Sequence, residues 1–193
     1  TELVIVDNSD GTPTLTLVVG STNRTATYAS GSGSSMLVFQ YTIQAGENDS
    51  DGISIGADAI ALEGALLSDP IGFPAVITHS AVSANSSYLV DAQAPPVISF
   101  HLTDTALKVG ETATVILVFA EAVVSFSSSD DITVSNGSLD NMISTDDNKT
   151  WTGTFTPTPN TEDATNTLSL GTSYTDTAGN TGAAATTANY EVE

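Results

Sequence analysis

The sequence predicts an all-β protein made of two β-sandwich domains in tandem. Short apolar runs separated by turn residues recur along the whole chain, and a pair of prolines lies near its middle. Threonine, serine, valine and alanine are abundant, whereas lysine and arginine together number three, so the charged pairs that support helices are missing. The length of 193 residues suits two small domains.

The predicted boundary between the domains is a short extended joint. The segment Tyr88-Leu89-Val90-Asp91 ends a strand pattern, and Pro95 and Pro96 follow shortly after it. Proline fixes φ and lacks a backbone N–H, so neither proline can continue a central strand ladder. The last residues, Tyr190-Glu191-Val192-Glu193, repeat the order Tyr-x-Val-acid. We therefore predict one domain over 1–91 and a second over 92–193.

Runs of strand-forming residues define the expected elements of each half. In the first half they are Leu3 to Val6, Thr14 to Val19, Thr25 to Ala29, Met36 to Ile43, Ile53 to Ile55, Ala75 to Ser80 and Ser87 to Val90. In the second half they are Val97 to Leu102, Thr112 to Phe119, Ile132 to Ser135, Met142 to Ser144, Thr150 to Thr156, Thr167 to Leu170 and Asn189 to Val192. Alternation places Trp151 and Phe155 on one strand face, which predicts that both are core residues. The segment Ala57 to Leu67 is the one candidate for a helix.

The two halves resemble each other in the order of their motifs. Asp69-Pro70-Ile71-Gly72 matches Asp176-Thr177-Ala178-Gly179, and Glu2 falls near the position of Glu121. The first half has no counterpart of Val97 to Phe119. We therefore expect the first domain to lack its two opening strands, either because it is truncated or because those strands lie elsewhere in a longer chain.

The charge excludes several classes of function. There are 23 acidic and three basic residues, which gives a formal net charge of −20. A nucleic-acid-binding surface needs clustered basic residues, and an anionic membrane would repel this chain. No apolar run reaches the roughly 18 residues of a membrane-spanning helix, and there is no cysteine for a disulfide. Two interpretations remain: a solvated acidic surface, or carboxylates that bind divalent metal.

One loop has the composition of a calcium site. Glu47-Asn48-Asp49-Ser50-Asp51-Gly52 offers alternate carboxylates and a glycine for the bend, and Asp58 follows eleven residues after Glu47. Calcium prefers several oxygen ligands that converge in a tight turn. Strand patterns flank the loop, so we predict a calcium loop outside the EF-hand fold. The alternative is an acidic turn in solvent.

The second half resembles the bacterial Ig-like repeats of very large RTX-type surface adhesins, which take part in biofilms. The motifs that carry the resemblance are Asp91-Ala92-Gln93-Ala94-Pro95, Val109-Gly110-Glu111-Thr112-Ala113, Phe119-Ala120-Glu121-Ala122-Val123, Thr150-Trp151-Thr152-Gly153-Thr154-Phe155-Thr156-Pro157 and Thr175-Asp176-Thr177-Ala178-Gly179-Asn180. The first half is similar to a sister repeat through Gly11-Thr12-Pro13-Thr14-Leu15, Ala26-Thr27-Tyr28, Ser30-Gly31-Ser32-Gly33, Tyr41-Thr42-Ile43-Gln44-Ala45-Gly46 and Asp51-Gly52-Ile53. It departs from the family pattern at Phe73, where Asp-x-x-Gly is normally followed by asparagine.

The resemblance implies tandem Ig-like β-sandwich domains that lie outside the cell and are stiffened by calcium between modules. Asp91, at the joint, is then a candidate ligand, completed by Glu121, Asp176 and Asn180 from the loops at the entry end of the second domain. The alternative for Asp91 is a surface acid that ends a strand. The expected partners are neighbouring Ig-like repeats of the same chain, and a cell-surface or matrix target would be reached through adjacent domains.

The sequence offers no catalytic constellation. His79 and His101 are the two histidines, and neither lies in a nucleophile or metal motif. We therefore predict a non-catalytic extender of an adhesin, with Ca²⁺ as its bound ion. One alternative is a ligand-binding region, or a split scaffold that carries an inserted adhesive domain. Another is an accessory module of an extracellular hydrolase.

Overall fold

The computed structural model describes residues 2–193, and the chain divides into two compact units. The first unit runs to Gln93 and the second begins at Ala94. Both consist of short strands joined by turns, so the prediction of an all-β fold is confirmed. The strand pairs are antiparallel except for the parallel pairing of Ala106–Leu107 with Tyr190–Val192 in the second unit. Within residues 2–193, no helix has the length and hydropathy that a membrane crossing requires.

The described residues of the first unit, 2–93, form eight strands. They are β1 (Ile5–Asp7), β2 (Thr14–Val19), β3 (Thr22–Ser30), β4 (Val38–Gln40), β5 (Asn48–Asp49), β6 (Ile60–Ala61), β7 (Leu66–Ser68) and β8 (Val90–Asp91). A four-stranded sheet has the order β4-β3-β2-β6, and two further pairs are β1-β7 and β5-β8. Ala57 to Leu67, the one candidate for a helix, forms no helix, because Asp58, Glu63 and Gly64 have positive φ and break the helical path.

The second unit contains thirteen strands and one helical turn. They are β9 (Val97–Leu102), β10 (Ala106–Leu107), β11 (Ala113–Phe119), β12 (Val123–Val124), α1 (Ser128–Asp131), β13 (Ile132–Thr133), β14 (Gly137–Leu139), β15 (Ile143–Ser144), β16 (Thr150–Pro157), β17 (Asp163–Asn166), β18 (Ser169–Leu170), β19 (Thr175–Asp176), β20 (Ala185–Thr186) and β21 (Tyr190–Val192). The largest sheet has the order β14-β16-β11-β9, with β15 also on β16. Smaller sheets are β10-β21-β17, β13-β18-β20 and β12-β19.

The core of the second unit is aromatic. Phe155 and Tyr190 are fully buried, with ring centroids 5.0 Å apart, and Phe119 lies 5.1 Å from Tyr174. Burial raises the pKa of Tyr190 to about 12, so its phenol stays neutral and donates a hydrogen bond to the Ser135 carbonyl. These rings fill the space between sheets, as alternation on β11 and β16 predicts.

Trp151 lies at the edge of this core. It is partly buried and packs against Phe126, with ring centroids 4.8 Å apart. Its indole N–H donates to the Asn148 carbonyl at 3.1 Å. The prediction for Phe155 is confirmed, whereas Trp151 closes one end of the core and keeps part of its surface in solvent.

Candidate metal centre

Two acidic side chains of the second unit come together at metal-ligand spacing. One carboxylate oxygen of Glu121 lies within 4.8 Å of one carboxylate oxygen of Asp176. Glu121 is half-buried and Asp176 is buried. Both are ligands that the sequence predicts. The third predicted acid, Asp91, is an exposed residue near the end of the first unit.

Asp176 is the rigid member of the group. It ends β19, where it pairs with Val123 of β12, and it is 1% exposed. Its Oδ1 accepts the Asn180 backbone N–H at 2.8 Å, and its Oδ2 accepts the Asn180 side-chain amide at 2.7 Å. Burial alone would raise the pKa of Asp176, but these bonds and those from Gly179 and Ala178 lower it. A buried carboxylate is therefore held in its charged form, ready for a cation.

Glu121 takes its position from the end of β11. After Phe119, the Ala120 N–H donates to the Pro96 carbonyl at 2.9 Å, which ties this turn to the extended segment that enters the unit. Pro95 is fully buried. Because both prolines are fixed in extended geometry, the position of the segment just before β9 is set by the second unit itself.

Asp91 lies four residues before Pro95. Its Oδ1 accepts the Gln93 N–H at 3.3 Å, an arrangement typical of an aspartate that starts a turn. Its backbone belongs to β8, where it pairs with Asn48. That Asp91 binds one ion together with the acids of the following loops stays a prediction.

Asn180 has a supporting role in this structure. It donates to Asp176 through both its backbone N–H and its side-chain amide, which fixes that carboxylate. A direct metal contact would use its carbonyl oxygen. Its role as a ligand stays a prediction, and its role in positioning Asp176 is visible in the hydrogen bonds.

In the first unit, Glu47 lies in a polar network inside the protein. It is 6% exposed, accepts the Tyr41 hydroxyl at 2.5 Å and the Gln44 N–H at 2.8 Å, and forms an ion pair with Arg24. The Tyr41 hydrogen bond is the main cause that lowers the pKa of Glu47, and the Gln44 and Arg24 contacts add to it. Both oxygens of Glu47 therefore have protein partners.

Asp49 is also engaged by the protein. It is 2% exposed, and its Oδ2 accepts the Gly20 N–H at 2.8 Å while its Oδ1 accepts the Gly52 N–H at 2.7 Å. Together with a longer bond from Asp51 N–H, these contacts close the loop, and the Gly20 bond is the main cause that lowers the pKa of Asp49. Asp49 thus organises the predicted calcium loop through hydrogen bonds.

Asp58 lies apart from this loop and pairs with His79. Asp58 Oδ1 accepts the His79 N–H at 2.9 Å, and the Asp58 N–H donates to the His79 carbonyl at 3.1 Å. Within residues 2–193, no three of the carboxylates of Glu47, Asp49, Asp51 and Asp58 lie at metal-ligand spacing. Calcium binding by these four residues stays a prediction. Sequence reasoning missed their partners Arg24, Tyr41 and His79, which lie 6 to 23 residues away along the chain.

Comparison with known proteins gives one family. Residues 91–192, more than half of the chain, match the bacterial Ig-like domain. No curated protein and no solved structure matches the chain significantly. The match begins at Asp91 and therefore includes Asp91, Glu121 and Asp176. Domains of this kind are often surface-associated. The chain belongs to the bacterial Ig-like domain family.

Proposed function

We propose that the chain is a non-catalytic extender segment of a secreted bacterial adhesin, and that calcium stiffens it at Asp91. The observation that carries the proposal is the pair Glu121 and Asp176 in the second unit, which have carboxylate oxygens within 4.8 Å of each other. Two carboxylates so close repel one another unless a cation or protons offset their charge. We expect Asp91, at which the match to the family begins, to supply a third ligand. The lowered pKa of Asp176 disfavours protons and supports a cation.

Calcium suits this set of ligands. The oxygens are hard donors, and water can complete the coordination because Asp91 is exposed. Extracellular calcium modules bind with dissociation constants of about 10⁻⁴–10⁻³ M, an affinity that suits surfaces bathed in millimolar calcium. Asp91 precedes two prolines that already restrict the chain, so a cation on Asp91 would restrict the same segment further.

The first test is a calcium titration followed by calorimetry and thermal unfolding. At about ten times the dissociation constant, one bound ion should stabilise the second unit by ~1.4 kcal/mol. Asp176→Asn and Glu121→Gln should abolish this gain, whereas Glu162→Gln, which removes one charge from an exposed residue outside this pair, should keep it. Equal calcium binding by all of these proteins would contradict the site.

The second test concerns stiffness. Small-angle scattering compares wild type and Asp91→Ala, each with calcium and with chelator. Of the four samples, only wild type with calcium should show a narrower range of shapes. Four identical profiles would mean that the prolines set the stiffness without a metal. Assays against polysaccharides, esters and peptides should show no turnover above buffer.

A second candidate function is ligand binding by the first unit. It is favoured by the large apolar side chains that this unit exposes, among them Met36, Ile71, Phe73 and Val76. An extender needs no such surface, so these residues favour an additional role in recognition.

A further inference from the structure

Asn136 and Gly137 form the single Asn-Gly dipeptide of the chain. It lies where the chain enters β14, which is an edge strand of the largest sheet. In such a pair the glycine nitrogen can attack the side-chain amide carbon of the asparagine, because glycine has no Cβ to block the approach. A five-membered imide ring forms with loss of ammonia, and water then opens the ring to aspartate or isoaspartate. The dipeptide is therefore chemically able to modify itself.

Packing explains why residue 137 is glycine. A Cβ at this position would lie 2.3 Å from two atoms of the Phe155 ring. Phe155 is fully buried and packs against Tyr190, with ring centroids 5.0 Å apart. Because the interior is close-packed, the ring has no room to move away from a larger side chain. The core of the second unit therefore requires glycine after Asn136.

Hydrogen bonds and backbone geometry explain why residue 136 is asparagine. Its φ is 47°, in the left-handed region that asparagine tolerates better than most residues. Its Nδ2 donates to Asp163 Oδ2 at 2.8 Å and to Asn166 Oδ1 at 2.7 Å. The two residues of the reactive dipeptide are thus required for two separate structural reasons.

The folded structure restrains the reaction. Ring closure needs rotation about the side-chain and backbone torsions of Asn136, so that its amide carbon meets the Gly137 nitrogen. The two side-chain hydrogen bonds restrict the first of these rotations. The Asn136 carbonyl accepts the Thr158 N–H at 2.9 Å, which restricts the second. Since β14 is a short edge strand, its local opening requires less free energy than unfolding of the whole unit.

Asn166 cannot adapt to a change at residue 136. It is 2% exposed, and its Nδ2 donates to the Asp163 carbonyl at 2.9 Å and to the Tyr190 carbonyl at 3.1 Å. Reversal of this amide would place its oxygen against both carbonyls. Asn166 Oδ1 therefore stays an acceptor that faces Asn136.

Asp163 is also fixed as an acceptor. Its Oδ1 accepts the Thr165 N–H at 2.8 Å, and this bond is the main cause that lowers the pKa of Asp163, to which the Asn136 amide adds. Residue 136 therefore faces two acceptors, one of them charged, and has to supply two donors. An ionised carboxylate at this position would supply none, and it would repel Asp163.

We propose that Asn136 is a self-modification site that limits the lifetime of the second unit. When β14 opens, the Gly137 nitrogen bonds to the Asn136 side-chain carbon, the bond from that carbon to Nδ2 breaks, and ammonia leaves with the Gly137 amide proton. One water molecule then opens the ring. The acidic product cannot restore the bonds to Asp163 and Asn166, so the change is one-way. The residues involved include neither Glu121 nor Asp176, so this inference does not depend on calcium.

The first test measures the rate of modification in the full chain. Folded chain and chain denatured in guanidinium chloride are incubated in mildly alkaline buffer with chelator, and peptide mass spectrometry follows the conversion of amide to acid. In the denatured chain, Asn136 should react faster than every other asparagine. In the folded chain, it should react at least about ten-fold more slowly. Equal rates in the two samples, or faster conversion of another asparagine in denaturant, would overturn the proposal.

The second test measures the consequence for stability. Asn136→Asp introduces the aspartate product directly, and Asn141→Asp makes the same change of charge at an exposed asparagine of the same unit. Asn136→Asp should lower the thermal midpoint of the second unit by about 5 °C or more, because a charged acceptor then faces two acceptors. Asn141→Asp should lower it by less than about 2 °C. Equal midpoints for the two variants would overturn the proposal.

A third measurement uses the wild-type chain and holds even where Asn136→Asp does not fold. Chain aged until part of it has reacted is separated by ion exchange, since conversion adds one negative charge. The fraction converted at Asn136 should unfold at lower denaturant concentration than the unconverted fraction. Identical unfolding of the two fractions would overturn the proposal, because modification would then leave the lifetime of the fold unchanged.

Discussion

In the second unit, sixteen apolar side chains are buried, five of them aromatic, whereas in the first unit Val19, Ala26, Ala65, Leu67 and Val90 are the buried apolar residues among those described. Each unit also buries two acidic side chains, Glu47 and Asp49 in the first and Asp131 and Asp176 in the second. Similar strands and loops thus fold around two different interiors. The comparison shows that the repeat preserves hydrogen-bonded turns more strictly than the content of the core.

The largest expected effect is on the aromatic core. Phe155 is fully buried against Tyr190, so Phe155→Ala should lower the free energy of unfolding of the second unit by about 3–5 kcal/mol. Denaturant unfolding followed by Trp151 fluorescence measures this change. Tyr88→Ala, at an exposed aromatic residue of the first unit, should leave it unchanged within about 0.5 kcal/mol. A small effect of Phe155→Ala would mean that the two interiors are less different than their burial indicates.

A smaller effect is expected at Gly182, which lies against the Tyr174 ring. A Cβ at this position would come within 2.3 Å of ring atoms, so Gly182→Ala should destabilise the second unit by about 1–3 kcal/mol. The matched control is Gly56→Ala in the first unit, where a Cβ meets no atom within 4 Å. Thermal unfolding of both variants provides the measurement, and equal midpoints would contradict tight packing around Tyr174.

The smallest expected effect is on the stability of the first unit at acidic pH. The folded first unit lowers the pKa of Glu47, so the stabilisation from its carboxylate is fully present above pH 4.5, its ordinary value, and is lost as the pH falls through the lower folded value. Glu47→Gln should therefore flatten the dependence of first-unit stability on pH in this acid range. Amide signals of the first unit during an acid titration report it. Glu63→Gln, at an exposed acid of the same unit, should keep the wild-type slope.

Local patterns predicted much of the fold because they depend on neighbours along the chain. Alternation gave β9 with both of its ends, and the matching Asp-x-x-Gly motifs gave two loops with the same hydrogen bonds. Apolar alternation failed at Ala75 to Ser80, predicted as a strand, because that segment makes single backbone hydrogen bonds, at Ala75 and His79, and no strand ladder. Short strands at irregular spacing leave such segments undetermined by local sequence.

The sequence distinguished less well between acidic residues that could bind metal and those that accept hydrogen bonds from the protein. The proximity of Glu121 to Asp176 could be anticipated because each lies at a strand end or turn in the part of the second unit nearest the predicted joint. Glu47 and Asp49 carry the same chemistry, but strand register brings Arg24 and the Gly20 N–H to them. The spacing of acidic residues within the loop does not reveal such long-range pairing. The number of carboxylates in a loop therefore does not by itself distinguish a metal site from a hydrogen-bonded turn.

The carbonyl of Asn148 joins Trp151 to the pair of Glu121 and Asp176. It accepts the indole N–H of Trp151 at 3.1 Å and the backbone N–H of Val123 at 3.2 Å, and Val123 lies opposite Asp176. Trp151 is the single tryptophan of the chain. Its emission is therefore a built-in optical reporter: a change in electrostatic field at Glu121 and Asp176 should alter its wavelength or intensity, while the first unit contributes no tryptophan signal.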